Sequence, residues 1–277
     1  MHRNRVQFLL LMLLFATLAS CGSNKAKDGP PRSGSTSMRE LPDDAVPRRE
    51  PRSKHGNGPV YEVFGQRYTV MESSSGYRER GVASWYGNKF HGKLTSNQER
   101  YDMHAMTAAH KTLPLPSYVR VRNLSNNRSV VVRVNDRGPF VPNRVIDLSY
   151  SAALKLDMVK DGTSLVEVEV INFDPPSGNR PTRQTTATTA QKTEPVPVSS
   201  NRIYVQAGAF GTRDNAERRL TALRSRGIVA SFVLEDTGSS PTLYRVRIGP
   251  IKSVEQYDII VEELDILGIS DPYLVTE

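Results

Sequence analysis

The chain has 277 residues, enough for two domains of ordinary size, but its Pro-, Ser- and Thr-rich stretches exclude packing throughout its length. A formal net charge of +8 does not by itself choose among nucleic acid, anionic lipid and cell-wall polymer as a partner. The amino terminus makes that choice: an exported chain meets little nucleic acid, so none is expected as a partner.

Export is read from His2, Arg3 and Arg5 followed by an apolar run from Val6 to Leu18, too short to span a bilayer as a stable helix. The run ends Leu18-Ala19-Ser20-Cys21-Gly22, small residues before the sole cysteine of the chain, which reads as a lipobox. Residues 1–21 are therefore expected to be a lipoprotein signal peptide, with a bilayer held through acylated Cys21. Residues 22–59 carry few apolar side chains and are expected to be a disordered tether; residues 174–200, with Pro175-Pro176 and a TTATT run, are expected to be a disordered linker. Two folded units remain, 60–173 and 201–277.

The first unit predicts many short strands. Tyr118 to Asn123 and Ser129 to Val134 alternate about the turn Ser125-Asn126-Asn127, a hairpin with Val119, Val121, Val130, Val132 and Val134 in the core. A short helix ending near Asp157 is capped by Asp147 or Ser149, with capping expected of Asp147, and Leu165 to Ile171 is a strand. Short strands around one small helix suggest a compact β-barrel. The second unit predicts strand Ile203 to Phe210, helix Asp214 to Arg226, strands Ala230 to Leu234 and Leu243 to Ile248, helix Val254 to Leu267 and strand Tyr273 to Val275. That βαββαβ order puts both helices on one face of an antiparallel sheet and leaves the other face open for binding.

Chemistry is sought first where glycines adjoin aromatics. In Gly81-Val82-Ala83-Ser84-Trp85-Tyr86-Gly87, Trp85 and Tyr86 are candidate platforms for sugar rings, barrel core being the alternative. Asp136 ends a valine-rich strand just before Gly138-Pro139, a position where a scaffold presents reactive groups and where turn-forming aspartates are also common. His91 and His104 lack metal-ligand spacing, so no metal is expected. In the second unit, alternation leaves Gln206, Arg245 and Arg247 on the open sheet face, where they could bind acetamido and carboxylate groups.

Taken together, GVASWYG, ERYDM, TAAHKTLPLP, VRVNDRGPFV and RVIDLSYSAALKL closely resemble the rare lipoprotein A family, over about residues 60 to 173. VQAGAF at 205–210 and YRVRIGP at 244–250 resemble the SPOR domain that ends many of its members. The resemblance implies a double-psi β-barrel plus an α+β, RNP-like SPOR domain, and an endolytic lytic transglycosylase that cuts peptidoglycan glycan strands stripped of stem peptides. It needs no cofactor, since the C6 hydroxyl of muramic acid, not water, closes on C1. Carried over residue by residue, it points to Glu99, Asp136 and His110 as the catalytic set. Asp136 is assigned as the acid that turns base and Glu99 as its partner, the reverse assignment staying open, with Asp102 and Arg137 as supports. Gly22 after the cysteine implies an outer-membrane location, and the SPOR likeness implies division sites, with division proteins as candidate partners. A glycan-holding lipoprotein that does not cut, and a hydrolase using water, are the alternatives. Gln98 stands where the family has a glycine, which matters if that position takes a positive φ.

Overall fold

A computed structural model describes residues 28–31, 41–173, 202–269 and 272–277. The signal run, Cys21 and the 174–200 linker lie outside the described residues.

A small hairpin, β1 (Val60–Val63) and β2 (Gln66–Thr69), precedes the barrel. The barrel is built from β3 (Arg78–Tyr86), β4 (Thr107–His110), β5 (Ser117–Asn123), β6 (Ser129–Asp136), β7 (Arg144–Ser149) and β8 (Thr163–Val170), closed in the order β3-β7-β4-β6-β5-β8. Two of its ladders, β3 with β7 and β4 with β6, are parallel; the others are antiparallel. Closure leaves no free sheet edge in a unit this small. The expected hairpin is β5–β6, and Val119, Val121, Val130, Val132 and Val134 all lie in the core. Each buried valine contributes about 1.5–3 kcal/mol, and β-branched residues suit the pleated wall.

Helix α1 (Tyr150–Lys155) follows β7 directly, and its cap is Ser149, whose hydroxyl accepts from the Ala152 amide at 3.3 Å. Asp147, the expected cap, is instead a residue of β7. It lies two residues before the cap position, which puts its carboxyl beyond reach of the first-turn amides.

The carboxy-terminal unit folds as read: β9 (Ile203–Phe210), α2 (Arg213–Ser225), β10 (Ser231–Asp236), β11 (Leu243–Ile251), α3 (Val254–Ile266) and β12 (Tyr273–Thr276). The antiparallel sheet runs β10-β11-β9-β12. Thr212 and Ser253 cap the two helices at their starts, and Gly227 and Gly268 close them at φ of 83° and 71°, conformations open to glycine. Ala216, Leu223, Ile260 and Leu264 pack against Val205, Val246 and Ile248 of the sheet. Val82, Leu124 and Leu165 of the barrel join this same apolar cluster, and Arg144 pairs with Asp258 of α3 at 3.1 Å, so the SPOR-like unit is seated against β3 and β8.

Residues 41–59, expected to be tether, lie along the barrel. The Ala45 amide donates to Val131 O, the Ser53 amide to Leu115 O, and Glu50 receives Arg133 at 2.8–2.9 Å and the Tyr118 hydroxyl. Arg133 and the other bonds hold the Glu50 carboxyl down to about 2. Composition missed this because the stretch buries polar bonds to a surface already folded, not an apolar core of its own.

Candidate active site

The end of β6 and the loop that crosses it make the centre of the site. Asp136 Oδ1 accepts from the Ser96 amide at 2.7 Å, the Ser96 hydroxyl at 2.6 Å and the Arg137 amide at 2.7 Å. This pins the 95–99 loop onto the strand end, and Asn97 tightens it by accepting from the Thr95 hydroxyl and the Glu99 amide. Glu99 is thereby brought beside β6, where its Oε2 accepts from Arg133 Nη1 at 2.7 Å and Asn135 Nδ2 at 2.9 Å. Partial burial would push its pKa up, but these donors more than offset it and hold the carboxyl below the ordinary glutamate range.

The residue before Glu99 answers a question the sequence posed. Gln98 sits at φ 71°, the left-handed region that a residue with a Cβ enters at a cost of roughly 1–2 kcal/mol. Gln98→Gly is expected to raise the unfolding free energy by about 1 kcal/mol, glycine's added unfolded-state entropy taking back part of the relief. Urea denaturation of the two chains measures it, and an unchanged midpoint counts against strain at this position.

Asp147 is the residue that sequence reasoning set aside. On β4, Ala109 faces Asp136 of β6 on one side and Asp147 of β7 on the other. One ladder spacing is about 4.8 Å, so the two aspartates stand on backbones roughly 10 Å apart with a methyl group between them. The Ser84 hydroxyl of β3 donates to Asp147 Oδ1, while Oδ2 faces the turn after Asp136, 3.9 Å from where a side chain at Gly138 would begin. Burial pushes the Asp147 pKa up, and the Asp136 charge adds to this, against the lowering effects of Ser84, Arg144 and Lys111. Its sequence signal was present in the alternation Val145-Ile146-Asp147-Leu148, which sets an acid within a strand, but the adjacent helix start offered a simpler reading.

His110 closes β4 and is 3% exposed. Its Nδ1 accepts from the Thr112 and Leu113 amides at 3.1 and 3.0 Å, so the proton sits on Nε2, which meets the Tyr77 hydroxyl at 2.7 Å. Tyr77 in turn donates to Glu79. Burial, reinforced by Arg137 and Lys111, lowers the His110 pKa to about 3. Both ring nitrogens are thus engaged away from Glu99 and Asp136. What His110 shapes is the 110–113 turn, whose His110 and Leu113 carbonyls accept from Arg137 Nη1. Arg137 also donates to Gly56 O at 2.8 Å and to Asn57 Oδ1, so a support expected from the sequence is held by the very segment expected to be tether. Asp102 is more peripheral, its side chain 55% exposed beside His91.

The two aromatic candidates separate. Trp85 is partly exposed and tilts on Tyr150 at 5.6 Å between ring centres. Tyr86, the next residue on β3, points the other way, is 8% exposed and stacks on Tyr101 at 4.0 Å. The structure therefore corrects Tyr86 from sugar platform to buried residue: it shares the Ser84 face of β3, where Tyr101, Met103 and Tyr150 cover it, while Trp85, on the face of Ala83 and beside Leu148, packs its partly exposed ring against the barrel core.

A family model described as lytic transglycolase, of the double-psi β-barrel type, matches residues 78–168, and a SPOR domain model matches residues 199–276. The endolytic peptidoglycan transglycosylase RlpA of Vibrio cholerae is 38% identical over 284 residues, covering 99% of this chain and 97% of the relative. The chain belongs to the RlpA family. Proteins of the same name from Pseudomonas aeruginosa and Neisseria meningitidis serogroup A are 39% and 41% identical, covering 84% and 77% of this chain and 80% and 82% of their own lengths. The closed six-stranded barrel and the βαββαβ unit are thus the double-psi barrel and SPOR domain of an RlpA-family member.

In the SPOR domain of this RlpA-family chain, Phe232, Arg247, Gln206 and Tyr273 form one cross-strand row on the face away from the helices. Gln206 is 2% exposed because Tyr273 lies over it and accepts from its amide, which corrects its expected place on an open surface. Arg247 pairs with Glu277, and Arg245 with Asp236 at 2.6 Å, so both cations on this face already hold carboxylates.

Proposed function

We propose that the chain is an endolytic lytic transglycosylase that cuts the β-1,4 bond between N-acetylmuramic acid and N-acetylglucosamine in glycan strands free of stem peptides. The observation that carries this reading is a set of carboxyls around one strand whose environments pull their protonation apart: Asp147 raised, Glu99 lowered. Such a split supplies an acid and a negative charge at one pH.

In the mechanism that follows, neutral Asp147 protonates the glycosidic oxygen as the bond to C1 breaks. Asp136, whose Oδ1 is saturated by three donors, turns Oδ2 to the positive charge growing at C1, and Glu99, fixed by Arg133 and Asn135, adds its negative field. The C6 hydroxyl of the same muramic acid then closes on C1 and gives its proton to the Asp147 carboxylate, which restores the acid and leaves a 1,6-anhydro end. This exchanges the role assigned to Asp136 from sequence for one at Asp147, and makes His110 a positioning residue. Trp85 offers the stacking face for a sugar ring.

The test is mass spectrometry of the products formed from peptidoglycan pretreated with an amidase. Anhydro-ended fragments are expected. Reducing ends would point to a hydrolase, and glycan that sediments with the folded protein but stays uncut would leave a binding protein.

The same reading places the chain in the cell envelope, lipid-anchored through Cys21 at the outer membrane, with the SPOR domain drawing it to denuded glycan at division sites. Its support is the export run and lipobox together with the SPOR match. Labelled palmitate should enter the wild type and not Cys21→Ser; equal labelling would overturn the anchor.

A further inference from the structure

Beyond the end of β3 the backbone turns at Gly87-Asn88-Lys89, and the amides of Gly87 and Lys89 there point to one spot. That spot is filled by a carboxylate. Asp28, from the amino-terminal segment, accepts from the Gly87 amide through Oδ2 and from the Lys89 amide through Oδ1, both at 3.0 Å, while Gly29 O accepts from the Asn88 amide at 2.9 Å. Backbone amides converging in this way form an anion-binding concavity. The Lys89 and Lys93 ammonium groups, from the same turn, lie 5.5 and 5.4 Å from the Phe90 ring centre. Gly87 keeps the approach open, since a Cβ there would lie 2.2 Å from Gly29 O and 2.9 Å from the Trp85 ring.

The position of this concavity connects it to the cleft. Ser84, which holds Asp147, is three residues earlier on β3, so the concavity lies roughly 10 Å along the strand from the acid. A glycan running along the end of β3 with its scissile bond at Asp147 would bring a neighbouring saccharide unit here. On muramic acid the group of matching chemistry is the lactyl carboxylate. It is free only where the stem peptide has been removed; with the peptide attached it is a neutral, bulky amide.

We propose that the amides of Gly87 and Lys89 form a subsite for the free lactyl carboxylate of peptide-free muramic acid, and that Asp28 occupies this subsite as an intramolecular competitor. The inference rests on the glycan-cleaving reading above and names how the site would tell denuded strands from peptide-bearing ones. A tethered carboxylate competes at an effective concentration set by its linker, so an incoming ligand must displace it and binds with reduced apparent affinity.

Trp85 is the sole tryptophan of the chain and adjoins the concavity, so its fluorescence reports occupancy. The full chain, in detergent, is titrated with N-acetylmuramic acid, its methyl ester and N-acetyl-D-alanine, and the series is repeated on Asp28→Ala. N-acetylmuramic acid should give a saturable change whose apparent Kd tightens at least about threefold in Asp28→Ala. The methyl ester should bind at least about tenfold more weakly, because esterification removes the charge that the amides hold. Equal responses to acid and ester would overturn the subsite. An N-acetyl-D-alanine affinity matching that of N-acetylmuramic acid would make it a peptide-carboxylate site and overturn the glycan assignment, and an Asp28→Ala titration identical to wild type would overturn the competitor. This readout involves no bond cleavage, so a chain that binds as expected yet releases no anhydro ends would retain the subsite and lose the transglycosylase reading.

Discussion

Asp147→Asn is expected to lower kcat on denuded glycan by on the order of 10³-fold while leaving the chain folded and able to sediment with the polymer. The substitution keeps an acceptor for the Ser84 hydroxyl and removes only the transferable proton. Two accompanying signs separate this from simple damage. In the wild type the raised Asp147 pKa means that the acid form is lost as pH rises, so the rate falls along a basic limb set by that group. This limb should vanish with Asp147→Asn and persist with Asp136→Asn. Stability should move the opposite way to activity. A carboxyl whose folded pKa is raised contributes stability below the ordinary aspartate range, and that contribution is lost as pH rises through the folded value, so at neutral pH the native chain bears an ionised or reluctantly neutral buried acid. Asp147→Asn should therefore unfold at higher temperature than wild type at pH 7, the difference shrinking below pH 4. An unchanged kcat would return the acid role to Asp136.

His110→Asn tests the positioning role. Above a pH of about 6.5 the ring is neutral in both folded and unfolded chains; between that value and about 3 only the unfolded chain binds the proton. The folded pKa is depressed, so the stability His110 contributes is present in full above 6.5 and drains away as pH falls toward 3. Wild type should lose on the order of 3 kcal/mol more than His110→Asn between pH 7 and pH 4, since each pKa unit corresponds to about 1.4 kcal/mol. Asparagine Oδ1 can stand in for Nδ1 at the Thr112 and Leu113 amides, so the 110–113 turn and its hold on Arg137 should survive. If His110 acts only through that turn, His110→Asn should keep most of kcat, whereas His110→Ala, which leaves two buried amides without an acceptor, should lose about 2–4 kcal/mol of stability and with it much of the activity. Denaturant curves at the two pH values and steady-state rates at pH 7 decide the matter. A large loss of kcat in a stable His110→Asn chain would show that the imidazole itself takes part in the reaction.

The Arg133 side chain links the site to the amino-terminal strap, since it holds Glu99 with one nitrogen and Glu50 with the others. Gly56 and Asn57 do the same for Arg137. The geometry at the carboxy-terminal end of β6 thus depends on residues 50–57, a stretch that carries none of the periodicity of a strand or helix.

Periodicity is a local property, and what depends on it was legible. The valine alternation of β5 and β6, the helical spacing of Ala216, Leu220 and Leu223, the glycines that end α2 and α3, and the βαββαβ order of the SPOR domain all follow from neighbours a few residues apart. Glu99 and Asp136 were visible as acids at a loop and a strand end, and the need for a positive φ at position 98 was posed by the sequence. Tertiary structure decided the rest, because a carboxyl's chemistry depends on what surrounds it. Asp147 became an acid candidate only when barrel closure set Ala109 between it and Asp136 and buried it beside Ser84. The loop after β3 laid Tyr101 over Tyr86, and the pairing of β12 with β9 laid Tyr273 over Gln206. The bonds of residues 41–59, and the seat of Asp28 on Gly87 and Lys89, join parts of the chain that only the folded barrel brings together, so no window of sequence contains both partners.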